Sequence, residues 1–243
     1  MGISCSFHTS TYETNSDSRL LALVKALEQG KEFLFRSAAA LTKVIGNVGD
    51  KPLLTRKDLI RESSTNGGII IVGSHVNKTT KQLEALTNST LPLLAIEFNQ
   101  HLVVTPEGLE PEVQRVVALA ERTLSEGKSV VISTRRDRFD LKTDDKEAQL
   151  RVSVKISDSL TSIVERLSIR PSFIIAKGGI TSSDVGTKAL KVKRALVMGQ
   201  IKPGIPVWMT GKESKYPDLP YVIFPGNVGE VDTLREIVEI LMG

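Results

Sequence analysis

Gly68-Ile69-Ile70-Ile71-Val72-Gly73-Ser74-His75-Val76-Asn77-Lys78-Thr79-Thr80 decides the fold class. Ile69 to Val72 is an unbroken β-branched run, the pattern of a strand buried on both faces. Gly73-Ser74 ends it, and Thr79 to Thr87 reads as a helix. Thr79-x-x-Gln82 matches a capping box at that helix's start. An all-apolar strand leading directly into a helix is the repeating unit of a parallel sheet covered on both sides.

Downstream the alternation continues. Strands are expected over 91–98, 129–133, 172–176, 195–199, 206–210 and 221–224. Helices are expected over 110–125, 149–167, 182–190 and 233–241, where apolar residues recur at helical spacing. Val113, Val116, Val117, Ala120 and Leu124 form one such stripe, and Leu234, Ile237, Val238 and Leu241 another. Upstream, 51–67 reads as a connector. Before it come a helix over 18–29 closed by Gly30, a short strand at Phe33-Leu34-Phe35 and a helix over 37–45. Residues 1–16 are polar and without periodicity. The fold class is therefore α/β: a three-layer sandwich with a mostly parallel, partly mixed sheet between helices. The closely spaced last strands supply the mixed edge.

At 243 residues with 40% hydrophobic and 25% charged residues, the chain has the make-up of a globular protein that buries a large core. Its net charge of +4 comes from scattered side chains, aromatics are 5%, and no nucleic-acid motif is present. Nucleic acid is thus not an expected partner. No apolar run reaches about 18 residues, so no membrane span is expected. The single cysteine, Cys5, excludes an intramolecular disulfide and fits a cytoplasmic location.

Three turns carry the candidate chemistry, each following an apolar strand and preceding a helix. They are Val72-Gly73-Ser74-His75-Val76-Asn77-Lys78-Thr79-Thr80, Lys177-Gly178-Gly179-Ile180-Thr181-Ser182-Ser183-Asp184, and Pro225-Gly226-Asn227-Val228-Gly229. In open parallel sheets ligands bind beyond the carboxyl ends of the strands. Glycine lets the backbone approach an anion, and free N–H groups at such turns attract phosphate. Each turn alone also reads as an ordinary strand-to-helix connection. The P-loop spacing fails, since six residues separate Gly179 from Gly186 and Thr187 precedes Lys188. No GxGxxG opens a helix, which argues against a dinucleotide-binding dehydrogenase.

Other residues read more plainly. Thr181-x-x-Asp184 fits a second capping box, with a magnesium role for Asp184 as the alternative. Lys177 either neutralises phosphate charge or ends a strand. His8, His75 and His101 lack metal-ligand spacing, so no protein metal site is expected. The charged stretch 135–147, including Asp144-Asp145, reads as a solvated loop or a rim of basic charge from Arg135, Arg136 and Arg138. Trp208 and Met209 read as core.

The motifs together resemble the C-terminal, nucleotide-binding half of the four-carbon acid sugar kinase family. The resemblance rests on Phe33-Leu34-Phe35-Arg36-Ser37-Ala38-Ala39, Val72-Gly73-Ser74 with Lys78-Thr79-Thr80 and Gln82-Leu83, and Ile175 through Asp184. Gly199-Gln200, Pro203-Gly204 and Phe224-Pro225-Gly226-Asn227-Val228-Gly229 complete it, in order from about residue 18 to the C-terminus. It implies ATP as cofactor with Mg²⁺, bound by Ser74, Gly178, Gly179, Ile180, Thr181 and Gly226. Gly73, Lys177, Ser182, Asp184, Asn227 and Gly229 are the implied neighbours. It implies transfer of a phosphoryl group to the terminal hydroxyl of threonate, erythronate or a 3-oxo form. The family's Asp-Asp-x-Thr-Gly-Ala type motif is missing from this sequence. Residues 1–45 are expected to be the last segment of a substrate domain plus a linker, and 46–243 the nucleotide domain. The sugar-acid site and the catalytic base would then lie on a half outside this chain. The alternative is a non-catalytic nucleotide- or partner-binding module from the same family, and a homodimer is an open expectation.

Overall fold

The computed structural model describes residues 48–61 and 65–243, with positions 25, 27–30, 43 and 46 before them. Met1–Pro52 and Leu53–Gly243 form two compact units. In the first, positions 25, 27 and 28 are helical and Gly30 closes the turn with φ +79°, as the sequence predicts. The rest of that helix, the strand at 33–35 and the motif Phe33–Ala39 lie outside the described residues. Of the helix over 37–45, only Lys43 is described, and it is helical.

The second unit holds a seven-stranded sheet. In chain order the elements are α1 (Arg56–Leu59), β1 (Ile69–Val72), α2 (Asn77–Thr87), β2 (Leu93–Phe98), a 3₁₀ turn (Gln100–Val104) and α3 (Glu110–Ser125). Then come β3 (Ser129–Thr134), α4 (Lys146–Arg166), β4 (Ile174–Lys177) and α5 (Gly179–Asp184), which runs on as a π-helical turn over Val185–Ala189. β5 (Ala195–Lys202), β6 (Ile205–Thr210), β7 (Pro220–Phe224) and α6 (Thr233–Met242) complete it. The strand order is β2-β3-β1-β4-β7-β6-β5. The first five are mutually parallel, whereas β6 runs antiparallel to both β7 and β5. The mixed edge is therefore a hairpin, built on the closely spaced strands the sequence shows.

β1 sits at the centre, and its four residues are fully buried. Its side chains alternate between two cores. Ile69 and Ile71 join Val113, Val116 and Leu124 of α3 with Leu160, Ile163 and Val164 of α4. Ile70 and Val72 join Leu83 and Leu86 of α2 with Leu234, Ile237, Val238 and Leu241 of α6. Each such fully buried aliphatic side chain contributes about 1.5–3 kcal/mol. Thus α3, α4 and α5 cover one face of the sheet, and α1, α2 and α6 the other. At the outer edge, the Leu54 N–H donates to Gln200 O of β5 (2.8 Å) and occupies part of an otherwise open ladder.

Several boundaries differ from the sequence reading for identifiable reasons. α4 begins at Lys146 because Asp145, read as part of a solvated loop, caps it by accepting from Glu147 N (2.9 Å) and Ala148 N (3.0 Å). The helix expected at 182 starts at Gly179, and neither expected capping box forms. The connector contains α1, closed by a box between Thr55 and Asp58. Trp208 and Met209 are half-buried rather than core; Trp208 stands edge-on to Tyr221.

Candidate functional site

The site follows from topology. β1 leads to α2 on one face of the sheet, its neighbour β4 leads to α5 on the other, and β7 beside β4 leads back to α6 on the first. Chains leaving adjacent parallel strands in opposite directions open a crevice at their carboxyl ends, where α/β sheets bind ligands. All three glycine turns meet there. Gly73 N–H donates to Lys177 O (3.3 Å), and Gly178 N–H donates to Phe224 O (2.9 Å). A sequence separation of 147 residues is closed by Thr79, whose hydroxyl donates to Gly226 O at 2.9 Å.

Close approach explains the glycines. A Cβ on Gly73 would lie 2.2 Å from Thr181 Oγ1, and one on Gly226 would lie 2.9 Å from Ser74 Oγ. Gly178 has φ +127°, a left-handed conformation that disfavours any side chain, and borders both Thr181 Oγ1 and Ser74. Ser74, Gly178, Thr181 and Gly226 are thus in one cluster. Gly179 and Ile180 form its open front: a Cβ on Gly179 meets nothing within 4 Å, and Ile180 is 73% exposed.

The implied neighbours divide. The Ser182 hydroxyl bonds to Ala176 O and Gly178 O (2.7 Å each), so it braces the turn from within. Asp184 is turned toward α4, where it accepts from Ser157 Oγ (3.1 Å) and pairs with Lys188 (3.2 Å). Asn227 is exposed at the tip of the third turn. Gly229, at φ +80°, leads into α6 against Thr233. Lys177 is completely buried; its Nζ donates to Pro225 O (2.7 Å) and Gly226 O (3.3 Å) and sits 3.6 Å above the Phe224 ring centre.

Three residues acquire roles that their local sequence conceals. Thr79 and Gln82, read as a capping box, instead secure the third turn. Besides the Thr79 bond, Gln82 Nε2 donates to Val228 O (3.1 Å) and Glu230 O (2.7 Å). Arg136 leaves the end of β3 and donates to Ser74 O (2.6 Å) and Thr80 Oγ1 (3.0 Å), fixing the first turn. Its guanidinium places a positive charge beside the first turn, and the Lys78 charge on α2 reaches Lys177. His75 Nε2 lies 3.2 Å from both Arg135 O and Thr134 Oγ1, at the end of β3. Burial, then the Arg136 charge, holds the His75 pKa below its ordinary value. Among the described residues no group of three or more His, Cys, Asp or Glu is placed to hold a metal ion, and no helix is long and apolar enough to cross a membrane.

Solved structures share this fold at low identity. A Haemophilus influenzae protein of the DUF1537 family aligns at TM-score 0.59 and 17% identity over 94% of this chain and 52% of its own. A Bordetella bronchiseptica DUF1537 protein, described with bound citrate and as a domain-swapped dimer, aligns at TM-score 0.57 and 19% identity over 73% of this chain and 41% of its own. The chain therefore spans no more than 52% of these two proteins. No curated protein matches the sequence. The family profile described as the nucleotide-binding C-terminal domain matches residues 69–234, from the first residue of β1 into α6. With the three glycine turns inside that span, the chain belongs to this nucleotide-binding domain family, the C-terminal half of the four-carbon acid sugar kinase family.

Proposed function

We propose that the crevice binds ATP and that the chain is the nucleotide half of a kinase for a four-carbon sugar acid. The observation that carries this reading is the convergence of three glycine turns, with Lys78 and Arg136 beside them, at the carboxyl ends of β1, β4 and β7. Backbone N–H groups and fixed cations suit a polyphosphate, and phosphoryl transfer depends chiefly on positioning and charge stabilisation. Ser74, Gly178, Gly179, Ile180, Thr181 and Gly226 would line the phosphates. The open front at Gly179 leaves room for them, and Thr181 packs beneath the first two turns. Mg²⁺ would enter on the phosphates, consistent with its habit of keeping several waters and few protein ligands. Bound there, it would offset charge on the transferring group. The acceptor, a threonate- or erythronate-like acid, would be held by a separate substrate domain that also supplies the base. Residues 1–45 would be the end of that domain. A homodimer is proposed by analogy with the Bordetella protein.

The test is calorimetric titration of the chain with ATP, with and without Mg²⁺, alongside a Gly179→Val/Thr181→Ala double variant. Saturable binding by the wild type and none by the variant, with its circular dichroism and cooperative unfolding retained, is expected. Undiminished affinity in the folded variant rules out this site. Supplying a substrate domain and assaying phosphoryl transfer to threonate and erythronate then tests the kinase reading itself.

A further inference from the structure

Lys177 is the most unusual side chain in the molecule. It is a lysine with no exposed surface, and among the described residues no carboxylate pairs with it. An ammonium has three N–H donors. Here two face carbonyls, Pro225 O and Gly226 O, and the third faces the Phe224 ring. Gly226 O is gripped twice, since Thr79 Oγ1 also donates to it.

The consequence lies on the other side of the peptide units. A trans peptide is planar, so a carbonyl drawn one way sends the next residue's N–H the opposite way. Drawing in Pro225 O turns the Gly226 N–H outward, and drawing in Gly226 O does the same for Asn227. Among the described residues neither N–H has a hydrogen-bond partner. Two successive free N–H groups form an anion-binding nest.

We propose that Lys177 is a positioning residue: it holds the third glycine turn so that the Gly226 and Asn227 N–H groups receive a phosphate oxygen, and phosphate binding in turn fixes the proton on Lys177. This rests on the nucleotide reading above and adds to it a role for a residue that does not touch the ligand. Burial, then the charge of Lys78 on α2, brings the Lys177 pKa down to about 7. The negative charge of a phosphate across the turn favours the ammonium, so the site takes up a proton on binding at and above neutral pH. His75, in the neighbouring first turn, is the other base a phosphate there would favour charging, but its pKa lies below the ordinary 6.5, further from pH 8 than that of Lys177, so uptake at pH 8 reports chiefly on the lysine.

The experiment is calorimetry of MgATP binding to the full chain at about pH 8, in two buffers of different ionisation enthalpy, with affinities followed from about pH 6 to about pH 9. MgATP is the probe because terminal phosphates, with pKa about 6, are already deprotonated there. Uptake of a substantial fraction of a proton is expected. Affinity should fall as pH rises, in total by about tenfold for each unit by which binding raises the lysine pKa. Lys177→Met should bind about tenfold more weakly, with the uptake abolished and the pH profile flattened. The uptake measurement needs only wild type, so its absence overturns the proposal even if the variant misfolds, and persistence of the uptake in His75→Gln assigns it to Lys177. No proton uptake by a wild type that binds MgATP overturns the proposal and leaves the nucleotide reading standing. Wild-type affinity and uptake in folded Lys177→Met do the same. A folded wild type that binds no ATP overturns both.

Discussion

Two glycines of neighbouring turns separate structural need from ligand space. A methyl group on Gly73 would sit 2.2 Å from Thr181 Oγ1, deep under the turn, where something must move. Gly73→Ala is therefore expected to cost about 1–3 kcal/mol, read from the denaturant midpoint. Gly179→Ala, with open space before it, should change stability by no more than about 0.5 kcal/mol. Lys177 adds a pH signature to the ligand-free protein. Its folded pKa of about 7 lies below the ordinary 10.5, so between these values the unfolded chain binds more protons. Stability should then rise with pH from about 7 to about 10, and urea titrations of Lys177→Met should lack that rise. Lys177 is also where the sequence stopped short. It placed a lysine at a strand end beside a glycine turn, but whether that lysine faces solvent or core depends on β7 lying against β4.

At the scale of elements, α4 shows how helix ends are satisfied. Asp145 caps the first turn. At the other end Lys215 Nζ donates to the carbonyls of Val164 (3.1 Å) and Glu165, which have no partner within the helix, and to that of Leu167 (2.7 Å) just beyond it. Lys215→Met should lower stability by about 1 kcal/mol in thermal or urea unfolding, since the part-buried Val164 carbonyl loses its donor while Leu167 O keeps the Tyr216 hydroxyl. α3 and α4 are joined by Arg166, whose two terminal nitrogens donate to both Glu110 oxygens (2.6 and 2.9 Å). The Arg166 hydrogen bonds, with that of Gln114, hold Glu110 at a pKa of about 2. The contribution is complete above the ordinary carboxylate pKa of 4.5 and is lost as pH falls through about 2. Acid titration of Glu110→Gln should show a shallower stability loss in that window. Neither end of α4 was fully legible: Asp145 sits in a charge run that looks solvated, and Lys215 is 50 residues beyond the Glu165 carbonyl it bonds.

For the molecule as a whole, Leu53–Gly243 contains, among the described residues, every strand and both cores. A chain beginning at Leu53 is expected to keep its circular dichroism spectrum and unfold in one cooperative urea transition; loss of either would show that the sheet needs the first unit. The alternation of elements was readable because strands buried on both faces are apolar throughout, while helices repeat near every 3.6 residues. The strand order was not. Periodicity records which faces of an element are buried, but not which neighbour covers them.

The sequence by itself determined the α/β class, the mixed strands at one edge and the three glycine turns, because these depend on local side-chain pattern and backbone freedom. Only the tertiary structure decided that the turns share one crevice, since that requires β1, β4 and β7 to be adjacent and parallel. The same adjacency took Thr79 and Gln82 from an expected helix cap to the third turn: a side chain bonds what the fold brings within reach, and here that was a backbone 146 to 148 residues away. It likewise carried Arg136 from an apparent surface loop to Ser74, because β3 lies beside β1 and its last residues end level with the first turn.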